Sequence, residues 1–521
     1  MSLPRFHSRI ANALGPLADS SGKLMTRLSG AGVTLEMDER TANLPAHVAG
    51  FLLAVNLCSR LYPRLYLRAP TNLQRQAAEL ALRINPACEI ETSKSEGERL
   101  LWGGATPTES TVTVSADGWL VLLDHTTEKG SPEANPLTTL AAAALGVSEL
   151  FRTVFKDFLP SGRTGPHPAL LNLMTLDESR DALPELPRAI DLGTVHLAGV
   201  GAVGQAMLYA LNQIPTAVGR LIAIDPETIA LSNLQRYVLT MDSDVGMSKA
   251  LIAQRTFAGR RLDIVPVETV WGADARSTSG VETVAVALDT AADRIGVQAG
   301  LPRAIYNGWT QPADLGWSRH ESFGENEPCL ACLYVPSGLR PSQHEMIARA
   351  LQQPELRVLA YLTLRLPVDV ALTPEQIPRL PSYPIPPSAP GWLERSILKD
   401  IVLELGVDPK AATAWKDKSI ADLYREGICG GALVSERVGK LLQEVTVPLA
   451  HQSALAGIML AMQLLVARVP ELRLRRPAAI EGRFDVLSGL PQVLSRPRLR
   501  TPSCVCGDVE YVRRYRQKWP V

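Results

Sequence analysis

At 521 residues the chain is longer than one hydrophobic core usually serves, so two or three domains are expected. Apolar residues at 46% and charged residues at 20% are ordinary globular usage and exclude a chain too polar to fold. Its 53 basic side chains balance 53 acidic ones, so no global field favours nucleic acid or an anionic membrane.

The most apolar stretch, Ala454 to Ala467, is too short to cross a bilayer, and the N-terminus lacks the basic and apolar regions of a signal peptide. A cytoplasmic protein with no membrane and no nucleic-acid partner is therefore expected. Seven cysteines, two of them in a Cys-x-x-Cys pair, point to metal ligands or a catalytic thiol more than to an extracellular disulfide framework.

In chain order, residues 1–185 hold strand-like runs at Leu65 to Leu67 and Trp119 to Leu123, and a helical pattern from Leu73 to Ile84. A long helix rich in alanine and leucine is predicted from Pro136 to Leu159, then a linker of Pro, Ser and Gly from Pro160 to Pro168. This half reads as α/β without a glycine-rich phosphate loop. From Thr194 the pattern sharpens into a β-α-β unit: the run VHLAGV, the turn GVGAVG at Gly199 to Gly204, a helix from Gln205 to Gln213, and the strand LIAID ending at Asp225. A further strand, Val284 to Leu288, delivers Asp289 at its C-terminal end, the edge at which parallel sheets bind ligands. A proline-rich, helical insertion follows from about Pro336 to Pro448. A helix from His451 to Val469, whose small residues read as close packing, and a hairpin region from Ala478 to Arg500 then return to the sheet domain. No internal sequence repeat is visible, although two halves could share a fold without sharing residues.

In the glycine loop, Gly199 permits the tight turn, Gly201 lets backbone approach phosphate, and Gly204 allows close helix packing. A nicotinamide oxidoreductase would carry the same glycines. The residues that follow favour triphosphate instead. Asp225 stands where a carboxylate accepts hydrogen bonds from ribose hydroxyls, and Asn233, Arg236 and Lys249 place an amide and two cations just beyond the loop. Cys329 and Cys332, with Cys504 and Cys506, could supply four thiolates to a structural zinc that pins distant segments together. Cys58 and Cys88 lie in apolar stretches and read as buried small hydrophobes, whereas Cys429 sits among glycines in EGICGGAL.

The order GxGxxG, strand ending in Asp, SNLQR, G-x-x-K, then a strand ending in Asp followed five residues later by Arg resembles the adenylation domain of ThiF, MoeB and the ubiquitin-activating enzymes. The match is close over 194–335 and looser over about 450–510. The resemblance implies an α/β fold: a Rossmann-like ThiF-type adenylation domain, with an inactive α/β N-terminal half and an inserted, mainly helical catalytic-cysteine domain. Its partition is 1–185, inactive half; 186–335, first part of the adenylation domain; 336–448, cysteine insertion; 449–521, second part with the last two zinc cysteines. It implies ATP as substrate, Asp225 on the ribose, Asn233, Arg236 and Lys249 on the phosphates, and Asp289 with Arg294 at magnesium. It also implies Cys429 as a thioester-forming nucleophile, a ubiquitin-like protein with a C-terminal glycine as partner, and a conjugating enzyme as acceptor. In the family the inactive half can lend an arginine to ATP, for which Arg5 and Arg9 are candidates by position. Tyr237, Thr290 and Val286 depart from the family, which usually has glutamine, asparagine and a second carboxylate there. The alternatives are adenylation for sulfur transfer or peptide modification without an enzyme thioester, and a nucleotide-binding scaffold without turnover.

Overall fold

The computed structural model describes the chain except residues 1–20, 104–105, 126–129, 160–161, 274–279, 312–313, 325–326, 335–447, 487–488, 490–499, 502–503 and 521. Cys429, Arg5, Arg9, nearly all of the 336–448 insertion and most of the predicted 478–500 hairpin lie outside the described residues.

After helix α1 (Ser21–Gly30), the first lobe is built on strands β1 (Gly32–Met37), β2 (Arg64–Arg68), β3 (Glu89–Glu91), β4 (Glu98–Trp102), β5 (Thr111–Asp117), β6 (Leu120–Leu123) and β7 (Ala169–Asn172). Its helices are α2 (Pro45–Ser59), α3 (Thr71–Ile84) and α4 (Pro136–Val154). The second lobe carries β8 (Ile190–Ala198), α5 (Ala202–Asn212), β9 (Ala217–Ile224), α6 (Lys249–Thr256), β10 (Leu262–Val267), β11 (Thr283–Val286), α7 (Ala291–Ala299), β12 (Ala304–Gln311), β13 (Asp314–His320), α8 (Ala450–Val466), α9 (Pro470–Arg473) and β14 (Glu481–Phe484), with α10 (Val509–Lys518) at its end.

The two seven-stranded sheets follow one path, β3-β2-β1-β4-β5-β6-β7 and β10-β9-β8-β11-β12-β13-β14. Each is parallel up to its fifth strand in that order and antiparallel beyond it. In this pairing α4 and α8 are counterparts, each the buried helix leading to the last strand of its sheet. They pack against each other, with Phe151 and His451 rings 5.6 Å apart. Asn135 caps α4, its side-chain oxygen accepting from the Thr138 amide at 3.1 Å, and Pro136 takes the first turn where its missing N–H costs nothing. Among the described residues α4 is the one helix long and apolar enough to cross a membrane, and it is wholly buried; the helix holding Ala454 is too short, as expected. The small residues of α8 serve packing, as expected: a Cβ on Gly457 would lie 2.4 Å from that of Ala206 on α5.

Where boundaries differ from the sequence reading, polar residues hid them. β8 begins at Ile190 because a bulge between Asp191 and Thr194 lets exposed residues join the sheet before the apolar run starts. β14 forms no local hairpin among the described residues; it pairs with β13, Leu315 opposite Phe484.

Candidate active site

Strand order reverses around β8, which is flanked by β9 and β11, and the loops leaving these strands meet at one sheet edge. Gly199 turns the chain with φ of +92°, a conformation side chains disfavour. Gly204 comes so close that a Cβ there would lie 2.2 Å from the Gly199 carbonyl. The turn therefore delivers α5 with Gly201 as an N-cap bearing no side chain, leaving its first amides open to an anion.

Asp225 organises this loop from below. One carboxylate oxygen accepts from the Val200 amide at 2.7 Å and the other from the Glu227 amide at 2.9 Å. Each oxygen keeps a further lone pair for a ligand hydroxyl. Burial pushes its proton affinity up, and Lys249 opposes this.

An antiparallel bridge, Thr228 with Ser248, folds the G-x-x-K segment back onto the Asp225 loop. It brings the Lys249 ammonium 2.7 Å from a Glu227 oxygen and 5.2 Å from the Tyr237 ring centre. Burial alone would lower the Lys249 pKa, but Tyr237, Asp225 and Glu227 outweigh it and hold the amine charged. Asn233 lies in the 3₁₀ turn Leu231–Gln235, where its side-chain oxygen accepts from the Ala230 amide at 2.9 Å, so part of its work is local. Arg236 leaves that turn with its Nε buried and without a partner.

Asp289 is exposed at the mouth of the β11 loop and forms no ion pair among the described residues. Crowding by protein atoms, then the Asp293 and Glu227 carboxylates, push its pKa up although the side chain still reaches solvent. Among the described residues the hydrogen bonds of Arg294 run to neutral oxygens, one of them the carbonyl of the residue before Asp289, and not to the Asp289 carboxylate. The guanidinium is buried, donating to the Leu288 carbonyl, to Asn307 Oδ1, and at 3.0 Å to the Gly308 carbonyl, so it anchors the loop that presents Asp289. The departures from the family also have structural reasons. Thr290 caps α7 by accepting from the Asp293 amide at 3.0 Å, Val286 is core, and Tyr237 places its hydroxyl 3.6 Å from the Cβ position of Gly201.

The sulfurs of Cys329, Cys332, Cys504 and Cys506 all lie within 4.8 Å of one another, with Cys329 3.5 Å from Cys504 and Cys332 3.5 Å from Cys506. Sulfurs around a tetrahedral zinc would stand about 3.8 Å apart, whereas a disulfide needs ~2 Å. The donor set fits zinc, and the Thr501 amide donates to Cys332 Sγ at 3.4 Å from outside it. Hydrogen bonding from Cys329 pulls Cys332 well below the usual thiol range and pushes Cys329 up in return.

In the first lobe, Asp38 follows β1 where Gly199 follows β8. Asp38 Oδ1 accepts from the Thr41 amide at 2.7 Å, turning the loop with a carboxylate that would repel phosphate. Cys58 and Cys88, the cysteines of this lobe, are buried as expected, and burial pushes both thiols up, Cys88 to about 12.

Residues 184–299 match the ThiF family. Over 147 residues, 27% of this chain and 57% of the other, the sequence is 31% identical to molybdopterin-synthase adenylyltransferase of Salmonella typhimurium (strain LT2). The chain belongs to the ThiF/MoeB-like adenylyltransferase superfamily. Its glycine loop, Asp225, Arg236, Lys249 and Asp289 all fall inside the segment matched to ThiF. This ThiF/MoeB-like chain is also 34% identical to uncharacterized protein y4jF of Sinorhizobium fredii (strain NBRC 101917 / NGR234), over 100% of itself and 98% of that protein, so the two are of one family. Residues 36–156 match the family described as prokaryotic E2 family C. A crystal structure of selenomethionine PaaA covers 24% of this chain and 40% of its own at 19% identity, with a TM-score of 0.21, too slight an overlap to speak of fold.

Glu227, the contacts of Tyr237 with Lys249 and Gly201, and the anchoring role of Arg294 were missed by sequence reasoning. Only Glu227 left a signal, standing two residues after Asp225 on the same loop, at the spacing that lets both carboxylates face one cation.

Proposed function

We propose that the second lobe adenylates a carboxylate with ATP, that of the C-terminus of a small partner protein ending in glycine. The observation that supports this most is the convergence of the α5 N-terminus, Asp225 and Lys249 at one sheet edge, with Asp289 close enough to feel Glu227 and Lys249, and with Arg236 leaving its Nε buried without a partner. A carboxylate oxygen of the partner attacks the α-phosphorus, a new P–O bond forms, and the bond to pyrophosphate breaks. Charge gathers on the phosphate oxygens, which on this reading the α5 amides, Lys249 and Arg236 stabilise, while Asn233 offers an amide. The mutual repulsion of Asp289, Asp293 and Glu227 fits a magnesium ion at Asp289, which would neutralise the triphosphate. Hydride transfer needs neither Lys249 nor Arg236.

The lobes divide at about residue 185. Residues 1–185 form the inactive counterpart, with Asp38 in place of a phosphate loop; residues 186–335 and 449–521 form the active lobe around the 336–448 insertion. Zinc at Cys329, Cys332, Cys504 and Cys506 ties the end of the active lobe to its body and takes no part in chemistry.

The likeness to molybdopterin-synthase adenylyltransferase favours delivery of the activated carboxylate to sulfur. The second reading, in which Cys429 accepts the acyl group and passes it to a conjugating enzyme, draws on the E2-family match over residues 36–156. That segment does not itself supply a transfer thiol, because Cys58 and Cys88 are buried. The test is pyrophosphate–ATP exchange with magnesium and a panel of small glycine-terminated proteins. Exchange that appears with one partner and is lost when its terminal glycine is removed supports the reading; none with any partner, alongside measurable ATP binding, leaves a nucleotide-binding scaffold.

A further inference from the structure

We infer that Arg60 of the first lobe is a positioning residue for the second lobe's site: with Asn56 it fixes the loop that presents Asn233, Arg236 and Tyr237. The inference rests on the adenylation reading of that site.

Arg60 follows α2 and is wholly buried. One terminal nitrogen donates to the Thr240 carbonyl at 2.8 Å and the other to the Leu234 carbonyl, while Nε donates to Asn56 Oδ1 at 2.8 Å. The Asn56 amide then donates to the Val238 carbonyl at 2.9 Å. Two side chains of one lobe thus hold three carbonyls of a single loop in the other. That loop needs outside help. Its 3₁₀ turn ends at Gln235, so the Val238 and Thr240 carbonyls beyond it have no helical partner. Arg236, between two of the held carbonyls, cannot fix the loop through its Nε, which has no partner.

The choice of arginine also bears on this. Asp244, the carboxylate that acts on Arg60 electrostatically, is already gripped by Arg255 at 2.7 and 2.8 Å. Arg60 therefore spends a buried cation on neutral carbonyls. Such a desolvated charge is costly as a simple packing element, and replacing it by an apolar side chain would remove that cost at the expense of the loop. A rigid fork spans two carbonyls at once; a lysine point donor cannot. The first lobe, having no phosphate loop of its own, acts on the active site by holding the arginine loop from behind.

The test uses the full-length protein with Arg60→Met, Arg60→Lys and Asn56→Asp, the last keeping the acceptor that Arg60 uses while removing the donor to Val238. Hydrogen–deuterium exchange without nucleotide should rise ~10-fold or more in peptides spanning 231–241, the scale of leaving buried carbonyls unpaired, with β8 and β12 unchanged. In pyrophosphate exchange, assayed well below the melting temperature, Arg60→Met should lower kcat/KM for ATP by ~10-fold or more, and Arg60→Lys should recover part of it. Arg60→Met added to Arg236→Ala should cost little beyond Arg236→Ala alone, because the first acts through the second. Unchanged exchange in 231–241, or effects that multiply fully in the double mutant, overturn the inference. If Arg60→Met does not fold, Arg60→Lys and Asn56→Asp decide it by the same readouts. A wild-type protein without pyrophosphate exchange defeats the adenylation reading alone, since loop protection is still measured.

Discussion

Lys249 is 4% exposed and yet stays charged, because Tyr237, Asp225 and Glu227 outweigh its burial. A nucleotide bound there would meet a cation already desolvated and oriented, which would raise its worth against phosphate oxygens. Asp289 is the complementary case, a carboxylate open to solvent and crowded by other negative charge. Asp289→Ala should leave circular dichroism and melting unchanged while pyrophosphate exchange falls at least ~10²-fold, the scale of removing one electrostatic stabiliser. Exchange near the wild-type rate would remove Asp289 from the reaction. Away from the site, Glu321 is a structural carboxylate: burial would raise its pKa, but hydrogen bonds from Arg476 and Tyr306 hold it at about 2. A depressed carboxylate stabilises the fold above its unfolded pKa near 4.5 and loses that contribution as pH falls to about 2. Glu321→Gln should cost ~2 kcal/mol at pH 7 and flatten the acid limb of stability between pH 5 and 2, read by urea titration across pH.

Among elements, the cysteine-bearing turns do work that no helix or strand could. The turn Leu330–Leu333 follows β13, and the turn Val505–Gly507 opens α10, so zinc held between them would tie the two segments together. Around the sulfurs pack Leu301, Phe323, Val512 and Tyr515, and the Trp519 indole donates to the Leu301 carbonyl at 2.9 Å. Cys332→Ser should lower bound zinc well below one per chain, reduce Tm by roughly 5 °C or more, and expose the α10 segment to protease. Metal analysis of protein purified without chelator that finds no zinc in the wild type would remove the site. An intact site in Cys332→Ser would reassign its ligands.

At the scale of the whole molecule, two lobes of one topology bury α4 against α8 and send Arg60 across their border. The insertion occupies the connection between β13 and α8, while its counterpart between β6 and α4 is only residues 124–135. The glycine turn, the four-cysteine turns and the longer connection thus all fall in the second lobe. Adenylation uses only the sheet-edge site, so Cys429→Ala should keep pyrophosphate exchange within about twofold of wild type. A covalent partner adduct, cleaved by thiols in the wild type and absent in Cys429→Ala, would establish the thioester route; an adenylate discharged only by a sulfur donor, in both proteins, would establish the other.

What the sequence by itself determined was the chemistry of contiguous stretches. Gly199 and Gly204 announce the turn because only glycine tolerates the curvature of the first and the closeness of the second, and Asp225 and Asp289 are legible as the polar ends of apolar strands. The cysteine spacing likewise declared a metal set before its sulfurs were placed. The tertiary structure alone decided the rest. The shared path of the two sheets left no residue repeat, because strand order depends on apolar pattern and crossover handedness, which many sequences satisfy. Arg294 reads from sequence as a ligand-side cation, yet its guanidinium turned out to be an anchor for backbone carbonyls. Arg60 read as nothing at all. Its acceptors are backbone atoms more than 170 residues away, and a carbonyl carries no signature in sequence, so only folding could show what it holds.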